Sequence, residues 1–290
     1  MQVIVSLRGA QRQSNLMLKA RWLRALRSLA MIIYFLLSAF DLPVPAAASA
    51  AENTGFSFQS LSTQNTLMEF YTAETLKNCN SAEAWLSRFK DSPLCFNQVI
   101  PVVFHLSRWD DRNWKDPFAL LESTARFVTY TRLWNARGIY APTAVLNGTE
   151  WNGWSREQEP PESGRKVGVL SVTGKSSAEI SISFSPRNQE AREWTAHAAL
   201  LGCAMESKVP RGENANKVFV HEFVALSYQS EVMQKSDAAN WTATVKFKPS
   251  TRSVSKQQAV AVWVTQEKIL LPVQAIGGYL PEPKSARKSS

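Results

Sequence analysis

Thiols and imidazoles are the groups in this 290-residue chain best suited to covalent or proton-transfer chemistry. There are six: Cys79, Cys95, Cys203, His105, His197 and His221. A cysteine attacks as its thiolate, which a helix N-terminus favours. Cys79 stands where a helix should open after a strand, so it reads either as a lone reactive thiol or as a half-buried packing residue. Geometry makes pairing with Cys95 implausible. A helix of about 11 residues at 1.5 Å each separates the two, whereas a disulfide needs Cα atoms within about 7 Å. Cys203 sits inside an apolar run and reads as a small buried hydrophobe. No C-x-x-C occurs, and the histidines lack metal-ligand spacing, so neither a metal nor a cofactor is expected. His105 and Asp110 offer either a catalytic pair or a hydrogen-bonded packing histidine. The chain has no G-x-S-x-G, no H-E-x-x-H and no Ser-His-Asp arrangement, which argues against a hydrolase.

Two periodicities frame these residues. From Asn65 to Asn147 strand-like and helix-like segments alternate. TLMEFY (66–71) reads as a strand. NSAEAWLSRFK (80–90) has helical spacing with Asn80 or Ser81 as N-cap and Glu83 in the first turn. VIPVVFHL (99–106) is apolar enough for a central parallel strand. Phe118 to Asn135 reads as a helix, and Ala144 to Leu146 begins another strand. This β-α-β-α-β order implies an α/β unit with parallel strands. Glu150 to Arg165 is polar and carries Pro160-Pro161, a linker loop. Seven strand-like runs follow, among them KVFVHEFVALSY and the strictly alternating WTATVKFK, and suggest a β-sandwich.

The N-terminus carries its own information. No acidic residue precedes Asp41. Lys19, Arg21, Arg24 and Arg27 lead into the apolar run LAMIIYFLLSAF, and Ala48-Ser49-Ala50 follows as a small-residue exit. That order describes a secretory signal peptide over 1–50. The apolar run is shorter than the roughly 20 residues needed to span hydrocarbon, which weighs against an uncleaved anchor. A mitochondrial presequence would lack so solid an apolar block. Met17 offers an equally good start. The net charge of +9 owes +5 to the first 50 residues, leaving +4 for the rest, which does not mark a nucleic-acid binder.

The stretches VVFHLSRWDDRNWKDPF and STARFVTYTRLWNARGIYAPTAVLNGTEWNGW, with Gly212-Glu213-Asn214-Ala215, VFVHEFVAL, AVWVT and PVQAIGGYL, carry a resemblance. They are similar to a bacterial exported family with a thioredoxin-like fold, catalogued as a domain of unknown function (number twelve twenty-three). The resemblance runs from about Leu67 to Leu280. It implies an α/β thioredoxin-like domain (65–149), then the linker (150–165) and an all-β sandwich-like domain (166–280). A disordered leader (51–64) and a disordered basic tail (281–290) flank them. The family places a dithiol, G-C-S-S-C-P-P-A-D, after the first strand. Here the aligned stretch is Thr75 to Glu83, with Leu76 at the attacking position and Cys79 at the second. Ser107 stands where the family has aspartate, in His105 to Asp110. Without the first thiol the exchange cycle cannot start in the usual way. Ala141-Pro142 resembles the position where thioredoxin folds keep a cis-proline that meets substrate backbone.

The expectation is therefore a redox-inactive, exported module that binds a protein or peptide in the cell envelope. The binding residues expected are Trp109, Trp114, Asp116 and Pro142, with Trp151 and Trp154 in nearby loops. Nucleic acid is not expected as a partner, and membrane contact is expected only through an uncleaved signal. The alternative is a thiol-disulfide oxidoreductase of reduced scope using Cys79 alone.

Overall fold

The seven-residue strand β2 (Thr66–Thr72) is buried along its whole length, and so is β3 (Val99–His105). Strands covered on both faces need apolar side chains at every position, and both sequences are close to that. They pair in parallel from Thr66 beside Val99 to Thr72 beside His105. The computed structural model describes residues 55–188, 193–248, 255, 257–267 and 269–282. The expected signal peptide, the Met17 start and most of the expected basic tail lie outside the described residues.

Between β2 and β3 runs α1 (Lys77–Ser87), which turns Cys79, Ala82, Glu83 and Leu86 inward along one stripe. After β3, α2 (Leu121–Leu133) buries Ser123, Arg126, Phe127, Tyr130 and Thr131. Strand β4 (Thr143–Leu146) then pairs antiparallel with β2 and turns through Asn147-Gly148 into β5 (Thr149–Trp151). Asn147 and Gly148 both have positive φ, 46° and 88°. That conformation is the one an Asn-Gly hairpin turn uses.

The expected class, an α/β thioredoxin-like domain followed by an all-β sandwich-like domain, is overturned. The protein is predominantly β, with fifteen strands and two α-helices among the described residues. One eight-stranded sheet, ordered β15-β14-β8-β11-β3-β2-β4-β5, takes strands from both halves of the sequence. In it β8 spans Trp194–Cys203, β11 Val224–Val232, β14 Gln257–Gln266 and β15 Pro272–Tyr279. The join is a parallel bridge between Val224 of β11 and Val103 of β3, with Val103 N–H donating to the Phe223 carbonyl at 2.9 Å. The expected third parallel strand is also corrected, since β4 runs antiparallel.

A five-stranded antiparallel sheet, β1-β6-β7-β13-β12, covers one face of the larger sheet. It comprises β1 (Phe56–Gln59), β6 (Gly168–Ser176), β7 (Glu179–Pro186), β12 (Gln234–Lys235) and β13 (Trp241–Lys246). Residues Phe56–Gln59, read from sequence as part of a disordered leader, pair with β6 instead. Period-two alternation lets β8 and β14 serve two cores at once. Ala196, Ala198, Leu200, Val260, Val262 and Val264 face the five-stranded sheet. Ala199, Leu201, Cys203, Ala259, Ala261 and Trp263 join the core beneath the helices. The run KVFVHEFVALSY, read as one strand, is split by Phe223 at φ 58° into β10 (Val218–His221) and β11. Strand β10 pairs with β9 (Met205–Lys208) as a separate hairpin.

Candidate buried histidine and carboxylate site

Strands β2 and β3 end side by side at Thr72 and His105, and three other segments close over that end. These are the first turns of α1, the Ser107 to Leu120 loop, and the β9–β10 hairpin. The hairpin's connecting loop fastens the assembly. Asn214 Nδ2 donates to the carbonyls of Glu74 and Leu76 at 2.8 and 2.9 Å. Glu213 accepts the Lys77 N–H at 3.0 Å, so a carboxylate from a distant segment sits on the donor end of α1, whose own N-cap, Leu76, makes no capping bond. This corrects the expected Asn80 or Ser81 cap: the helix opens earlier because Glu213 serves that end.

Beneath this cover lie five buried ionisable side chains: Glu74, Glu83, His105, Asp116 and His221. His105 Nδ1 contacts both Asp116 oxygens, at 3.1 and 2.9 Å. His221 Nδ1 is hydrogen-bonded to Glu83 Oε2. Its Nε2 lies 3.0 Å from Glu74 Oε1 and 2.9 Å from Ser207 Oγ. The other Glu83 oxygen accepts from Thr72 Oγ1. The two imidazoles meet edge to face at 5.0 Å between centroids, and Phe118 lies 5.3 Å from each. His105 Nε2 and Glu74 Oε2 are buried with no hydrogen-bond partner among the described residues.

The electrostatics follow from burial opposed by close opposite charge. Burial disfavours the His221 cation, yet the Glu83 charge and the carboxylate hydrogen bonds lift its pKa to about 10. Burial likewise works against charged His105, and Asp116 reverses it, raising the pKa. For Glu83 and Asp116 burial pushes the pKa up, but His221 and His105 respectively outweigh it and both carboxyls are lowered.

Cys79 faces into this neighbourhood at 1% exposure, and burial pushes its thiol up to about 11. Burial takes Cys95 and Cys203 to about 12. All three cysteines are free. All three thiols are buried rather than exposed.

The structure gives His105 a different carboxylate from the one paired with it by sequence. Its partner is Asp116, while Asp110 Oδ1 accepts the Asp116 N–H at 3.0 Å. Asp116 thus lies in the buried cluster, 5% exposed. Trp109 and Trp114 stay in the loop, both half-buried, Trp109 against the core and Trp114 in a turn where Asp111 Oδ1 accepts the N–H groups of Asn113 and Trp114. Arg211 bridges Asp111 to the hairpin loop. Trp151 packs on Trp85, with centroids 5.6 Å apart, and Trp154 meets Phe70 edge-on at 5.9 Å. Half-buried Pro142 follows a cis peptide bond. It precedes β4, whose Thr143 pairs with Tyr71 at this same end of the sheet.

Glu74, Glu83 and His221 were not singled out as site residues. His221 lies within the VFVHEFVAL block and Glu83 within the inward stripe of α1. A carboxylate on an apolar helix face was the available signal.

A second buried polar group lies deeper. Arg126 pairs with Glu69 and donates to Tyr130 Oη, and its guanidinium lies 5.0 Å from the Trp263 ring. His197, Tyr228 and Trp263 form parallel stacks beside it. Burial and the Arg126 charge drive the His197 pKa well down.

A search of curated proteins finds no match. Among solved structures, HBP35 of Porphyromonas gingivalis is similar with a TM-score of 0.51 at 12% identity, over 80% of this chain and 79% of that one. An X-ray structure of an Agrobacterium tumefaciens protein aligns with a TM-score of 0.47 at 16% identity, over 78% of this chain and 96% of that one. The family described as Protein of unknown function (DUF1223) matches residues 67–265, and the chain belongs to it.

Proposed function

We propose that the chain is a non-catalytic binding protein of the cell envelope that holds a polypeptide partner at the Trp109–Trp114 loop and the Pro142 turn, which lie at the same end of the larger sheet. The observation that carries this reading is the bracing of the loop. Asp110 and Asp116 fix it from inside, and the Asp111–Arg211 pair fixes it to the hairpin. A loop so held presents its tryptophan with little ordering cost on binding. Tryptophan is strongly represented among interface hot spots. Buried Cys79 and Leu76 at the helix start speak against thiol exchange as the activity. The signal-like N-terminus supports an envelope location.

The test is capture from envelope extract by immobilised wild-type, Trp114→Ala and Cys79→Ser protein, with and without reductant. The expected result is capture weakened about 30-fold by Trp114→Ala, with a melting shift of a few degrees. Reductant and Cys79→Ser should leave capture unchanged. Capture abolished by reductant and by Cys79→Ser would replace the binding module with a mixed-disulfide enzyme.

A further inference from the structure

The two buried imidazoles share an arrangement that a hydrogen-bonded packing role does not require. Each turns one ring nitrogen to a carboxylate, while the second nitrogen of His105, Nε2, is unpartnered and that of His221, Nδ1, is hydrogen-bonded to Glu83. His105 gives Nδ1 to Asp116, and His221 gives Nε2 to Glu74. Metal-ligating histidines are held in this way, with an outer carboxylate fixing the ring while the second nitrogen faces the ion. Donor atoms of Glu83, His105 and His221, one from each, all lie within 4.8 Å of one another. Two ligands at about 2.1 Å from one tetrahedral ion stand about 3.4 Å apart. Side-chain shifts on the order of an ångström close the set, with the hydrogen bond between His221 Nδ1 and Glu83 Oε2 opening to admit the ion. We propose that His105 Nε2, His221 Nδ1 and Glu83 Oε2 bind one divalent transition-metal cation of the zinc class, with Asp116 and Glu74 as the outer carboxylates.

An independent observation points to the same place. His105 Nε2 and Glu74 Oε2 are buried and unpartnered, on residues 1% and 2% exposed. Buried polar groups are rarely left so, and an ion is one standard reason. Among the described residues no lysine or arginine side chain bonds Glu74, Glu83 or Asp116. Three carboxylates are gathered out of solvent with the imidazoles as their only cationic partners among the described residues, and a dication offsets that charge. Nitrogen donors disfavour calcium and magnesium, which take oxygen ligands. Thr72 holds the second Glu83 oxygen and so fixes the carboxylate for single-oxygen ligation. Three protein donors, all buried, leave the fourth position of a tetrahedral ion open, as in zinc sites that keep a bound water. The ion would tie the ends of β2 and β3, α1 and the β9–β10 hairpin under the Trp109–Trp114 loop. The site stands whether or not that loop binds a partner.

The test uses the full chain stripped with a strong chelator and dialysed. Zinc chloride titration by calorimetry, with elemental analysis of the dialysed product, should give one zinc per chain and a raised melting temperature. Asp116→Asn, which keeps the side-chain shape, should weaken binding by about 10–100-fold. His105→Gln should abolish it, and Cys79→Ser should leave it unchanged. Should His105→Gln fail to fold, cobalt(II) added to stripped wild-type protein gives the same decision, through visible bands of a low-symmetry nitrogen and oxygen site. Stripped wild-type protein that takes up no zinc and melts unchanged overturns the proposal. So does a folded His105→Gln protein with undiminished affinity, or a cobalt spectrum matching the hexaaqua ion.

Discussion

His105 and Asp116 form a buried imidazole–carboxylate contact of 2.9 Å, while Asp110, nearer in sequence to the histidine, serves only the backbone of Asp116. The two aspartates are chemically alike and energetically unlike. Asp116 also accepts the Phe118 N–H at 2.9 Å, so its loss unpairs both a ring and a backbone donor in a dry setting. Asp116→Asn, which removes the charge and one of the two acceptor oxygens, should cost about 1.5–3 kcal/mol, the range for hydrogen bonds involving charge. Asp110→Asn, which retains an acceptor at a more exposed position, should cost less than about 1 kcal/mol. Urea unfolding of the two variants against wild type measures the contrast, and equal effects would contradict it.

Cys79 yields a prediction with a defined sign in pH. A thiol lifted to about 11 is protonated at neutral pH and gains thiolate only as pH rises toward that value. Iodoacetamide should leave Cys79 unlabelled at pH 8 in the native protein and label it fully in denaturant. Insulin reduction in the presence of dithiothreitol should match the no-enzyme rate. Leu76→Cys then supplies the missing partner three residues upstream. After mild oxidation that variant should lose two titratable thiols and turn over slowly. Rapid native labelling of wild-type Cys79 would show that the helix end opens.

Arg126 offers a stability test away from the candidate site. It is 5% exposed, paired with Glu69, which is 0% exposed, and surrounded by Tyr130, Tyr228 and Trp263. Replacing one partner strands the other's charge, which costs about 3–5 kcal/mol. Arg126→Met should lower the unfolding free energy by that amount, and the double variant with Glu69→Leu should recover much of it. A single variant as stable as wild type would contradict this.

Local elements were largely legible. The α1 pattern, read over Asn80 to Lys90, appears at Lys77–Ser87, and β2 and β3 fall nearly where the apolar runs place them. Strand neighbours were not legible, because alternation tells which face a residue occupies and not which strand lies beside it. WTATVKFK looks the same whether its sheet stands apart or covers a larger one. The α1 boundary shifted because Glu213 supplies the capping charge from a distant segment. The candidate site was half visible: His105 and Asp116 stood out near each other in the chain. His221 meets Glu74 and Glu83 only through the fold, and no local spacing could announce it.

The bridge between Val103 and Val224 bears on how the chain reaches this state as it is made. Strand β3 needs β11, more than a hundred positions downstream, as its neighbour. Pairings of that separation carry a large loop-closure penalty before any contact forms, and they slow folding. An emerging chain can place β3 beside β2 early, but the far edge of β3 then waits with its amide and carbonyl groups unmatched. An apolar strand with such an edge invites pairing with a second nascent molecule. The late residues Phe223 and Val224 thus cover the middle of that early edge, and a chain truncated before Phe223 should be lost to aggregation rather than fold as a smaller unit.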